Sequence, residues 1–131
     1  GGIIFFFFYD TPDVFDTTLD TISQWNLDVL EINILTPYPG TKLFEKLDRE
    51  GRIFTKDWTR YNQVDVVFEP KNMTPEELMH GARKVAKEFY SIDNVIKRGV
   101  KTVATVKGIG SFKPALTNFA FRKYYKRDFH F

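Results

Sequence analysis

Apolar and polar positions along this chain fall into two regimes. Ile3 to Tyr9 is an unbroken apolar and aromatic run, the pattern of a strand buried on both faces. Thr11 follows as a candidate cap and Pro12 as a first helical residue, a position where the absent N–H would be unpaired anyway. Val14, Phe15, Leu19, Ile22 and Trp25 recur on one side at helical spacing, with Asp13, Asp16 and Asp20 opposite, which predicts an amphipathic helix over 12–26. A second apolar strand is expected over 29–35. Strand, helix, strand in this order implies a right-handed parallel unit.

The segment after that strand, Leu35-Thr36-Pro37-Tyr38-Pro39-Gly40-Thr41, is stiff by composition. Two prolines fix φ and bar their predecessors from helix, so the chain stays extended until Gly40 lets it turn. Thr41 can then cap a short helix over 42–50, and Gly51 suits a left-handed stop. A rigid loop results at the C-terminal end of a strand, the place where α/β folds bind ligands.

Beyond residue 51 the pattern changes. Residues 52–63 read as irregular, anchored by Trp58 and Tyr61, and Asp65 to Glu69 as extended, ended by Pro70. Thr74-Pro75-Glu76-Glu77 has the form of a capping box with proline in first position. Leu78, Ala82, Val85 and Phe89 continue it as one helix face. Ser91 caps a further helix expected to run through Lys97, with Gly99 beyond it. Gly108 and Gly110 break the chain again. Phe112, Leu116, Phe119 and Ala120 mark a last amphipathic helix ending near Arg127. The fold class expected is therefore α/β to α+β, with a mainly helical C-terminal half.

Composition narrows the reading. With 131 residues, 43% hydrophobic and 14 phenylalanines, the chain has the size of one domain and can bury a core. No apolar run approaches the ~18–20 residues of a transmembrane span, and no signal-peptide pattern is present. The absence of cysteine removes any disulfide framework. A cytoplasmic setting follows by elimination. The net charge of +2 hides a polarity: residues 1–80 hold 7 Lys/Arg against 14 Asp/Glu, and residues 81–131 hold 12 against 3. Such asymmetry marks either a partner-binding half or two ends that neutralise one another within one fold.

Candidate chemistry is sparse. Glu76 and His80 stand at i,i+4 spacing, but a tetrahedral metal site needs more ligands, and a solvated helix pair explains them. Asp10, Asp13 and Asp16 lack the turn glycine and terminal glutamate of a calcium loop, and an acidic helix start accounts for them. Phosphate loop and nucleophile elbow are both missing. No catalytic residue and no metal are predicted. The run Arg122-Lys123-Tyr124-Tyr125-Lys126-Arg127-Asp128-Phe129-His130 interleaves cations with aromatics, a composition able to meet single-stranded nucleic acid, an acidic partner or a membrane surface. A solvated basic helix end is the favoured reading, since so short a basic stretch has little specificity.

Order and spacing of these pieces resemble one family. Gly2-Ile3-Ile4-Phe5 through Thr11-Pro12-Asp13-Val14-Phe15 and the Ile34–Thr41 loop are similar to the penultimate and last strands of cobalamin-binding-domain radical S-adenosylmethionine (SAM) proteins. Gly51-Arg52-Ile53, Asp57-Trp58, Tyr61, Val66-Val67-Phe68-Glu69-Pro70, Met73 to Leu78 and Glu88-Phe89-Tyr90-Ser91 resemble the uncharacterised domain that follows their barrel. Two departures stand out. The family's cysteine triplet is absent, and Phe6 and Phe8 stand where the family tends to carry glycine and an acidic residue.

The resemblance implies that residues 1–50 are terminal β/α units of a partial parallel barrel and residues 51–131 a mainly helical C-terminal domain. It implies a parent enzyme, methyltransferase-like, with a 4Fe-4S cluster, SAM and cobalamin, of which this chain is a fragment inactive alone. No cofactor is expected to be held by this chain itself. In the intact parent, Ile34 and Leu35 would line the adenine side of SAM, with Pro37 and Gly40 shaping the loop. Trp58, Tyr61 and Phe68 are the substrate-side candidates or, equally, the core of the C-terminal module, and in the isolated chain Ile32, Ile34 and Leu35 read first as sheet core. The expected partners are the remainder of the parent enzyme and a second copy, through the apolar N-terminal strand. The alternative function is a freestanding basic and aromatic binding module for nucleic acid or an acidic protein.

Overall fold

The two apolar segments pair as expected. In a computed structural model describing residues 2–5, 10–25, 27, 29–105 and 113–129, β1 (Gly2–Phe5) lies parallel to β2 (Glu31–Ile34), with Ile3 opposite Ile32 and Ile4 opposite Asn33. The crossover between them carries α1 (Val14–Gln24). Five helices and this two-stranded parallel sheet make up the described elements, so the chain is mainly helical with an α/β start. Phe6, Phe7, Phe8 and Tyr9, expected to extend the first strand, lie outside the described residues, as do Gly108, Gly110, Phe112 and His130.

Helix α1 begins two residues later than its sequence suggests. The Thr11 hydroxyl donates to the Asp13 carboxylate instead of accepting a helix N–H, and Pro12 sits in the preceding turn. Phe15 and Ile22 are buried as predicted, but Trp25 is exposed. It occupies the C-cap in an extended conformation (φ −86°, ψ 139°), so its side chain leaves the helical wheel.

Thr41 does cap α2 (Lys42–Arg49), its hydroxyl accepting from the Phe44 N–H at 3.2 Å. Gly51 follows at φ +67°, the left-handed region that glycine enters without steric cost. A short 3₁₀ turn, Trp58–Arg60, is started by Asp57, and Ile53 and Phe68 form an isolated antiparallel bridge. Helix α3 (Pro75–Phe89) opens on a complete capping box: Glu77 N–H reaches the Thr74 hydroxyl, and Thr74 N–H reaches the Glu77 carboxylate. Two of its neighbours are α1 and β2. Against α1 the approach is close enough that a Cβ on Gly81 would stand 2.1 Å from the Phe15 ring.

Two expectations for the C-terminal helices fail. Helix α4 (Ile92–Thr105) runs straight through Gly99, because glycine inside a helix costs only ~1 kcal/mol and α5 packs alongside. Helix α5 (Lys113–Asp128) buries Asn118 and Tyr125, followed by Phe129, while Leu116, Phe119 and Ala120 face out. Its inward face is polar-tipped, and periodicity of purely apolar residues selects the wrong side. Asn118 is matched by the Arg98 guanidinium at 2.8 Å, which also donates to the Phe89 carbonyl and lies over the Phe89 ring at 4.0 Å. One hydrophobic core runs from Phe15 to Phe129 and is continuous in space across residue 50.

Candidate functional site

The sheet has two unlike faces. Side chains alternate along a strand, and Ile32 and Ile34 are fully buried beneath the helices, with Ile3 packed against the same core. Glu31, Asn33 and Ile4 share the opposite face, where Ile4 is 62% exposed and Glu31 is exposed. Parallel sheets are ordinarily covered on both faces. Here one is open.

The edges differ as well. The side of β2 away from β1 presents Leu30 and Ile32, whose peptide groups have no strand partner there. Two tyrosine hydroxyls take that place. Tyr90, which ends α3, accepts from Leu30 N–H at 3.2 Å and donates to Leu30 C=O at 2.6 Å. Tyr125, from α5, accepts from Ile32 N–H at 2.7 Å and reaches Ile32 C=O at 3.5 Å. The rings stack with centroids 5.2 Å apart. Burial raises both phenols, Tyr125 to about 12 and Tyr90 further still. One position on, the Gln63 carbonyl accepts from Ile34 N–H at 2.7 Å. The outer edge of β2 is thereby closed by three different residues.

Gln63 holds a positive φ of 67°, a conformation that costs a side-chain-bearing residue about 1 kcal/mol or more. Asn62 supports it by accepting from the Val64 and Asp65 N–H groups, both at 2.9 Å. The Gln63 amide reaches the Tyr38 hydroxyl at 3.4 Å, so the 61–65 turn and the loop after β2 meet. Sequence reasoning passed over Gln63; only an Asn followed by a glycine-free turn hinted at it.

In that loop Thr36 and Pro37 are buried, and Thr36 Oγ1 donates to Ile34 C=O at 3.2 Å. Gly40 turns the chain at φ +81°, and the Tyr38 carbonyl accepts from both Thr41 N–H and its hydroxyl. Ile34 thus points into the helical layer, Leu35 is half-buried on the other parity, and Pro37 and Gly40 shape the turn. The three aromatic candidates separate. Tyr61 and Phe68 belong to the core, Tyr61 donating to the Thr55 carbonyl at 2.8 Å, whereas Trp58 is 54% exposed. Trp58 lies 4.9 Å from Tyr61 and 6.2 Å from Phe44 by ring centroids. Below it, Asp57 accepts from the Thr59 hydroxyl and N–H, which hold its carboxyl below the usual range.

Glu76 and His80 line a separate surface groove of about 370 Å³ between α1 and α3, beside Asp16 and Lys84, which pair with each other. Among the described residues no three His, Cys, Asp or Glu side chains converge as a metal site. Among the same residues no helix is long and apolar enough to cross a membrane.

The model of a domain of unknown function, DUF4070, matches residues 41–127. Curated relatives include bacteriochlorophyllide d C-12(1)-methyltransferase of Chlorobaculum tepidum, 35% identical over 75% of this chain and 21% of that protein. Anaerobic magnesium-protoporphyrin IX monomethyl ester cyclase of Cereibacter sphaeroides is 30% identical over 62% of this chain and 13% of its own length. Hopanoid C-2 methylase of Rhodopseudomonas palustris is 38% identical over 52% and 13%. The chain therefore spans about a fifth or less of the length of these relatives. No solved structure matches. The match covers the stretch that resembles the uncharacterised domain after the barrel of radical SAM proteins, and the chain belongs to the DUF4070 family.

Proposed function

We propose that this chain is the C-terminal part of a cytoplasmic radical SAM enzyme, cobalamin-dependent and methyltransferase-like, in which it contributes barrel wall and a substrate-side cap. The observation that carries the reading is the asymmetry of the sheet. Among the described residues, β2 is closed on its outer edge by Tyr90, Tyr125 and Gln63, while β1 has no second strand partner and one sheet face is left open. An unpaired edge is a template for further strands, which supports reading residues 1–50 as the last β/α units of a larger sheet. The relatives are named for methylation or cyclisation and are roughly four times as long as this chain.

Residues of this chain do not fit an iron–sulfur cluster, which needs thiolates; the sequence has no cysteine. No step of radical chemistry runs through them. Their part is to wall and orient. Asn33 and Leu35 lie on the open parity of β2 and its continuation, and Leu35 is the residue we assign to the adenine side of SAM, backed by Ile34. Pro37 and Gly40 fix the loop. Trp58, held against Phe44 and Tyr61, is the exposed aromatic that can meet a large ring system such as the bacteriochlorophyllide, porphyrin and hopanoid of the relatives' names. Phe68 and Tyr61 support it from the core.

The test is the reading frame upstream of Gly2 and the polypeptide it encodes. A cysteine triplet is expected there, and the longer polypeptide should cleave SAM under reducing, anaerobic conditions. Leu35→Trp in that polypeptide should abolish cleavage, and Trp58→Ala should leave cleavage but weaken substrate turnover. A frame without the triplet, or a longer polypeptide inert toward SAM, overturns the reading.

A further inference from the structure

The outward faces of α4 and α5 are unlike an ordinary solvated surface. On α4, Ile92, Ile96 and Val100 recur every fourth residue and all face out, Val100 at 65% exposure. Residues four apart lie one above another on a helix, so the three form one aliphatic stripe, with Lys97 exposed next to Ile96. On α5 the exposed positions among the described side chains are Leu116 at 70%, Thr117, Phe119 at 52%, Ala120, Lys123, Tyr124, Lys126 and Arg127. Three acidic side chains lie near these faces: Asp128 is turned partly inward and takes the Arg127 guanidinium at 2.7 Å, Glu31 of β2 acts on Tyr124, and Asp93 is exposed beside Ile92 on α4. The core already has its own α5 residues in Asn118, Tyr125 and Phe129, so burial of the fold does not require the outward set.

From this we infer that α4 and α5 form a docking surface for an anionic lipid bilayer, lying in its interfacial plane. The exposed cations of these faces, Lys97, Lys123, Lys126 and Arg127, outnumber the neighbouring carboxylates and match a negative surface. Lysine and arginine stems can lie along apolar side chains while their heads reach phosphate. Leu116 and Phe119 sit between the cations as such insertion demands. A second copy of this chain is disfavoured as occupant, since two such cationic faces repel. Nucleic acid would use the cations and Tyr124 but gives no role to Ile92, Ile96, Val100 and Leu116, which have no base to stack on. The inference stands on this surface and is independent of the enzyme reading.

Co-sedimentation of the 131-residue chain with vesicles tests it, using phosphatidylcholine alone and phosphatidylcholine with about 30% phosphatidylglycerol. Binding to the anionic vesicles only is expected, falling several-fold between about 0.1 M and about 0.5 M NaCl as screening shortens. Each cation near such a surface is worth about five-fold in partitioning, so Lys123→Gln with Lys126→Gln should weaken binding about thirty-fold. Leu116→Gln with Phe119→Gln should also release the chain. All four positions are exposed, and far-UV circular dichroism confirms that each variant keeps its helices. Absence of vesicle binding by the folded chain, binding indifferent to both double variants, or retention of a single-stranded oligonucleotide in place of vesicles would each overturn the proposal.

Discussion

Replacing Tyr90 by phenylalanine isolates the role of one hydroxyl in closing β2. The ring and its stacking on Tyr125 are kept, and only the oxygen that serves Leu30 N–H (3.2 Å) and Leu30 C=O (2.6 Å) is removed. Leu30 and Tyr90 are both fully buried, so water does not replace the lost partner. Each orphaned backbone group costs about 1–3 kcal/mol, which sets Tyr90→Phe at about 2–5 kcal/mol. Tyr125→Phe loses one firm bond, to Ile32 N–H at 2.7 Å, while Ile32 C=O is already at 3.5 Å. Its expected cost is lower, about 1–3 kcal/mol. Against a total of about 5–15 kcal/mol for a domain, either change is large. In urea the Tyr90→Phe midpoint should fall by about 1–2 M with the slope unchanged. Tyr124→Phe, on the exposed side of α5, serves as the control and should move stability by no more than about 0.5 kcal/mol. If Tyr90→Phe unfolds at the same denaturant concentration as the control, the hydroxyl does not seal the edge, and the reading of β2 as a closed terminal strand falls with it.

The same phenols predict an alkaline transition. Burial raises both above their ordinary value, Tyr125 to about 12, so their stabilisation is complete below pH ~10 and is lost as pH rises through about 12; a Tyr90→Phe/Tyr125→Phe chain should lack that ionisation step in absorbance-monitored titration. Gly81→Ala places a Cβ 2.1 Å from the Phe15 ring and should cost about 1–3 kcal/mol by thermal melting, partly recovered by Phe15→Leu; full stability of the single variant would mean α1 shifts freely over α3. Thr74→Ala removes the hydroxyl half of the capping box and should cost about 1 kcal/mol, read from the same melts. The β1 edge, without a second strand partner among the described residues, should recruit a second chain, so light scattering at high concentration is expected to show association; a monodisperse monomer would refute that.

Much of the molecule was readable before its structure because local signals agreed with tertiary packing. Thr41, Gly51 and the Thr74–Glu77 box act through neighbours within a few residues, and Leu78, Ala82, Val85 and Phe89 repeat on one face without conflict. What escaped reading depends on partners far away. Nothing local says that the Tyr90 and Tyr125 hydroxyls serve a strand 60 and 93 residues earlier, or that Asn118 is buried because Arg98 meets it. The α5 face was misjudged for that reason. The loop residues Ile34, Leu35, Pro37 and Gly40 are legible from stiffness, but which of them faces the core needs the strand register, and Gln63 enters through its carbonyl on Ile34 and its amide on Tyr38.

The tyrosine seal also sets a schedule for folding. Leu30 and Ile32 leave the ribosome long before Tyr125 is made, and at ordinary synthesis rates the 93 residues between Ile32 and Tyr125 take on the order of ten seconds. Throughout that interval β2 has an unsatisfied outer edge. Gln63 closes part of it first, at Ile34, Tyr90 follows at Leu30, and Tyr125 finishes at Ile32. Contacts so distant in sequence slow folding, and a nascent chain halted before α5 carries a half-closed apolar strand. Synthesis pausing between α3 and α5 is therefore the moment at which this chain is most open to misassembly and most in need of a chaperone.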